Sequence, residues 1–96
     1  MKKMIEEVEN LQKEIDEKFG RRSGAVFFLV DMVQEVGELA EVIRAKEFYK
    51  RPPKEVLEDE IGDIFYSLVG VAKNYNVNME DAIKNRIIGL KKRFSL

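Results

Sequence analysis

The 96-residue sequence contains no cysteine, no histidine and no tryptophan, and its two prolines stand side by side. Without cysteine there is no disulfide and no thiol nucleophile, which agrees with a reducing compartment. Without histidine the commonest general base, the Ser-His-Asp arrangement and every imidazole-containing metal site are excluded. No run of about 18 apolar residues and no signal-peptide pattern occurs, so a cytoplasmic protein outside the membrane is expected. Neither sign of charge dominates: seventeen basic and eighteen acidic residues give a formal net charge of −1. Such a balance supplies no basic field for nucleic acid or an anionic membrane. The local cluster Lys91-Lys92-Arg93 reads as favourable charge at a helix C-terminus rather than a nucleic-acid site.

What is present is an amphipathic chain. Apolar residues make up 45% and charged residues 36%, a mixture that favours one helix-rich globular domain over disorder. A domain this short buries only about two-thirds of its unfolded surface, which favours oligomers. Met4, Val8, Leu11, Ile15 and Phe19 recur at spacings of three and four, predicting a first helix over 2–19 that Gly20 ends. Ser23 is positioned as an N-cap for a second helix from Ala25 to Phe48. The first half of that helix, Ala25 to Val30, is apolar on every side. A helix apolar all round is buried all round, which points to a subunit interface; the alternative is a central helix covered within the chain. Arg51-Pro52-Pro53 interrupts the pattern and opens a third helix over about 53–75. Asn76 ends it, Asn78 caps a fourth, and Met79, Ile83, Ile87, Leu90 and Phe94 form that helix's stripe. The fold class is all-α, a four-helix bundle with antiparallel neighbours where connections are short.

Two pairs of acids break the amphipathic logic. Glu35 and Glu38 stand three apart, as do Glu60 and Asp63, so each pair occupies one helix face. At about 100° per residue, Asp31, Glu35 and Glu38 form a strip bracketed by Phe27 and Val42 and flanked by Phe28 and Leu39. Glu60 falls among Val56, Ile64, Ser67 and Val71, with Asp63 at the edge of this arc, while Glu55, Asp59 and Lys73 mark the solvated side. Carboxylates placed so cost several kcal/mol each, or protonate, unless a cation compensates them. Three readings are open: ion pairs with Lys or Arg of neighbouring helices, acids more exposed than the helical wheel places them, and a divalent metal. Oxygen-only ligands favour Mg²⁺, with Mn²⁺ a substitute, over Zn²⁺. A di-iron carboxylate bundle is excluded because it uses Glu-x-x-His.

Glu35-x-x-Glu38, twenty-one intervening residues and Glu60-x-x-Asp63 resemble the signature of MazG-type nucleotide pyrophosphohydrolases, an all-α superfamily. The wording Glu35-Val36-Gly37-Glu38-Leu39-Ala40-Glu41-Val42 and Glu60-Ile61-Gly62-Asp63-Ile64-Phe65 is close to the family's. Asn78-Met79-Glu80-Asp81-Ala82-Ile83 and the closing Arg93-Phe94 extend the likeness over about 24–94. The resemblance implies a dimerising four-helix bundle, as a homodimer or a dimer of dimers. It also implies hydrolysis of a nucleoside triphosphate, the partner here, between its α and β phosphates.

By the same resemblance Glu35, Glu38, Glu60 and Asp63 hold Mg²⁺, and Glu38 positions or deprotonates the attacking water. Arg86 and Arg93, seven apart on one helix face, are the candidates for gripping phosphate; their alternative is a solvated face. Lys46 and Lys54 are weaker candidates. Phe19 stands where some relatives stack the base, against an ordinary place in the helix stripe. Leu90 occupies a position where many members carry Asn, and the base-pocket tryptophan of some relatives is missing, so the departures bear on substrate choice. A phosphoribosyl-ATP pyrophosphohydrolase and a non-catalytic helical dimer acting as a binding or regulatory module are the alternative readings.

Overall fold

The computed structural model describes residues 1–20, 23–50 and 57–96. Four helices and no strands occur among them: α1 (Lys2–Phe19), α2 (Ala25–Glu47), α3 (Leu57–Asn74) and α4 (Met79–Arg93). The boundaries follow local chemistry. Gly20 ends α1 at φ 92°, a left-handed conformation that costs glycine nothing. After α3, the Val77 amide bonds the Ala72 carbonyl at 2.9 Å and the Asn76 amide bonds that of Lys73 at 3.2 Å. With Asn76 at φ 56°, this is a Schellman ending built on asparagine. Asn78 then caps α4, its side chain accepting the Asp81 amide at 2.9 Å.

Two boundaries differ from expectation. Gly24, not Ser23, takes the N-cap position of α2, without a side-chain cap bond. Ser23 is engaged otherwise: its carbonyl accepts Asn74 Nδ2 at 2.7 Å, tying the start of α2 to the end of α3. Helix α2 stops at Glu47, with Phe48 as its C-cap. The predicted opening of the third helix near Pro53 lies outside the described residues, as does Lys54.

Helix α3 is the centre. Phe28, early in α2, meets Tyr66 with ring centroids 6.3 Å apart, while Glu35 and Glu38, further on, meet Glu60. Position rising along α2 as it falls along α3 makes the two antiparallel. The same holds for α1, whose Gln12 Nε2 donates to the Tyr66 carbonyl at 2.8 Å and whose Glu9 pairs with Lys73 at 3.9 Å. Gly70 allows α2 to come close, because a Cβ there would fall on the ring of Phe28. Val69, Ala72 and Met79 form the core, with Ile5, Val8 and Phe65 packed against it.

The protomer is open rather than closed. Its radius of gyration is 16.0 Å, where a compact chain of this length has about 12.5 Å. Met79 seats α4 in the core, but Ile83, Ile87, Leu90 and Phe94 of its stripe stay exposed. In α1, Val8 and Ile15 are half-buried while Met4, Leu11 and Phe19 remain exposed. Of the apolar opening of α2 only Phe28 is buried. No helix among the described residues is long and apolar enough to cross a membrane.

Candidate metal centre

The facing sides of α2 and α3 bring three of the four predicted acids together. One carboxylate oxygen from each of Glu35, Glu38 and Glu60 lies within 4.8 Å of the others. They span the full range of exposure: Glu60 is 1% exposed, Glu35 half-buried and Glu38 exposed. Asp63 is exposed and stands outside this trio; it has one methylene less than glutamate and points about 60° away from Glu60 around the helix.

The cluster is electrostatically unbalanced. The carboxyl of Glu35 is raised from 4.5 to about 7, first by a hydrogen bond with Glu60, then by burial and the charges of Glu38, Asp63 and Glu60. Two carboxyls share a hydrogen bond only when one keeps its proton, so the proton serves as the compensating cation. Glu35 Oε2 is nonetheless buried with no hydrogen-bond partner, and such an oxygen is costly unless something accepts its lone pairs. A hard divalent ion fits both needs, since it replaces the proton and takes oxygen ligands alone. The competing ion-pair reading finds no support at Glu35 or Glu38. Among the described residues the ion pairs are Arg44–Glu41, Lys73–Glu9 and Lys84–Glu80, all elsewhere.

The other predicted site residues stand on the outer helices. Arg86 and Arg93 are exposed on α4; Arg86 lines an apolar groove between α3 and α4, and the Arg93 guanidinium lies 5.4 Å from the Phe94 ring centre. Phe19 is 60% exposed at the end of α1, with Lys18 Nζ 5.3 Å over its ring. It is therefore not a core residue of the described chain. Lys46 is exposed.

Tyr66 is a neighbour that sequence reasoning passed over. Burial first, and then the charge of Asp31 on α2, push its phenol up. Its spacing, three residues after Asp63, was the available signal. Phe28 packs on Gly70 and Tyr66 in the same α2–α3 seam.

An all-α chain whose antiparallel inner helices each contribute carboxylates to one point carries the donor set of a divalent-metal site. The chain belongs to the MazG nucleotide pyrophosphohydrolase family, whose domain profile matches residues 28–94, the segment containing all four acids. It is similar to the uncharacterized protein YvdC of Bacillus subtilis (strain 168), 32% identical over 101 residues that cover 94% of this chain and 95% of that one. A second relative, the uncharacterized protein YpjD of the same organism, is 28% identical over 85 residues, 78% of this chain and 75% of its own.

Proposed function

We propose that the chain is a Mg²⁺-dependent pyrophosphohydrolase of (deoxy)nucleoside triphosphates, releasing the monophosphate and pyrophosphate and removing non-canonical nucleotides. The observation that carries this reading is the convergence of Glu35, Glu38 and Glu60 within 4.8 Å, inside the segment that matches the family. These three residues, with Asp63 at the margin, would hold the ion. Bound there, Mg²⁺ supplies charge neutralisation at the phosphate oxygens and acidifies a water molecule.

The chain's own residues divide the remaining work. Glu60, buried and within a shared hydrogen bond, fixes the geometry of the cluster. Glu38, the exposed member, faces the side from which substrate arrives and takes the proton of the water that adds across the α–β anhydride. Pyrophosphate departs on the opposite side. Arg86 and Arg93 carry charge that no acid neutralises among the described residues and engage the phosphate chain bidentately. Phe19 offers its exposed ring to the base.

The test is product analysis over a panel of standard and modified nucleoside triphosphates and phosphoribosyl-ATP, with Mg²⁺ and with EDTA. Metal-dependent release of monophosphate plus pyrophosphate is expected. Release of single phosphate, or no turnover on any member, would overturn the assignment. Glu38→Gln should lower kcat by at least about 100-fold, the usual worth of general base catalysis, with Tm held within a few degrees. A protein that keeps its acids only for structure would instead lose stability.

A further inference from the structure

We propose that the cavity between α1 and the α2–α3 seam receives the base of the nucleotide and selects adenine and cytosine by their exocyclic amino groups. This rests on the nucleotide reading above and adds to it the class of base. The cavity has a volume of about 590 Å³ and is walled by Gln12 and Lys13 of α1, Phe28 of α2, and Gly70, Lys73 and Asn74 of α3. Its size falls among small-ligand pockets, about 300–1,000 Å³. Phe28, packed on Gly70, supplies an apolar wall.

The cavity lies in line with the acids. On α3, Asp63, Tyr66, Gly70 and Asn74 follow one another at spacings of three, four and four, which keeps them on one face. That stripe runs from the acid at the margin of the cluster to the cavity wall. On α2, Phe28 stands seven residues before Glu35, two turns or about 10 Å along the axis. Base and phosphates are thus held two helical turns apart on both walls.

The amides on the wall are engaged in a way that leaves acceptors. Gln12 is only 6% exposed, and its Nε2 donates to the Tyr66 carbonyl at 2.8 Å. That bond fixes the carboxamide, and Oε1 has no partner among the described residues. Asn74 uses both Nδ2 hydrogens, on the Ser23 carbonyl at 2.7 Å and the Gly70 carbonyl at 2.8 Å, so its Oδ1 can only accept. A buried carboxamide oxygen without a donor is costly. The amino group of adenine or cytosine supplies that donor, and the second Nε2 hydrogen of Gln12 meets the acceptor nitrogen beside it. Uracil and hypoxanthine place a carbonyl where the amino group would be. Because Tyr66 holds the amide, Gln12 cannot turn over to match them. Of the lysines at the cavity, Lys73 is paired with Glu9 at 3.9 Å and Lys13 is exposed, so the fixed, buried part of the wall is an acceptor.

The experiment has two arms. Steady-state kinetics with Mg²⁺ compares CTP with UTP and ATP with ITP, pairs related by exchange of the amino group for a carbonyl. In each pair kcat/KM should favour the amino member by at least about 10-fold, chiefly through KM, the size of one hydrogen bond lost in a buried site. Gln12→Met should bring that ratio to about one. The second arm needs neither metal nor turnover: ¹⁵N-labelled protein in EDTA is titrated with cytidine and with uridine, and the side-chain amide signals of Gln12 and Asn74 are followed. Cytidine should shift both signals, and uridine should require at least about 10-fold more ligand for the same shift. Equal kcat/KM within both pairs would overturn the proposal, as would cytidine shifts that fall away from these two amides. Both wild-type measurements decide it even if Gln12→Met does not fold. No turnover on any nucleotide, together with cytidine binding at Gln12, would overturn the catalytic reading and uphold this one.

Discussion

Glu35 shows how one side chain records the demand for a cation. Its pKa of about 7 in the folded chain lies above the 4.5 of an unperturbed carboxyl, chiefly because of the hydrogen bond with Glu60. The protonated form therefore favours folding. This stabilisation is fully present below pH 4.5 and is lost as pH rises through about 7. In EDTA the Tm should accordingly decline between pH 5 and 8, and Glu35→Gln, which carries no titrating proton, should flatten that slope. With Mg²⁺ or Mn²⁺ the sign reverses: the ion competes with the proton, so affinity rises through pH 7 and binding releases protons. Calorimetry in two buffers of different ionisation enthalpy counts them, and an unchanged proton balance would remove Glu35 from the ligand set.

At the scale of the helices, the close approach of α2 to α3 depends on Gly70 and Phe28. Gly70→Ala should destabilise by about 1–3 kcal/mol through overpacking, although alanine is the better helix former. At 4–8 °C per kcal/mol for a domain of this size, thermal melts will show it, and trimming the ring with Phe28→Leu should recover part of the loss. No sequence pattern announced this pair, because the two residues lie forty-two positions apart and meet only once the helices dock. Local signals were read well: Gly20, Asn76 and Asn78 act at the termini where their backbone chemistry places them. The helical wheel likewise placed Glu60 on an inward arc, and it is buried. It could not resolve Asp63, since an angle around a helix does not give the reach of a shorter side chain. The cap at Ser23 failed because the helix opens one residue later, with Gly24 as its N-cap, while the Ser23 carbonyl accepts from Asn74.

The molecule as a whole has more apolar surface than its own four helices cover, as the exposed Val26, Val33, Ile87 and Phe94 show. Folding linked to self-association makes Tm depend on protein concentration. Thermal melts over a hundredfold dilution should therefore shift downward, whereas a self-sufficient monomer would melt at one temperature throughout. Gly37→Ala, where a Cβ would meet no atom within 4 Å, should raise stability by about 0.5–1 kcal/mol, read as a higher Tm. The stretch from Val26 to Ala40 thus carries two surfaces on one helix, the acids Glu35 and Glu38 that meet Glu60 on one flank and an exposed apolar stripe on the other. Such a stretch has almost no neutral positions. A substitution library of this chain would find tolerance concentrated in the charged outer turns of α1, and the second helix close to silent.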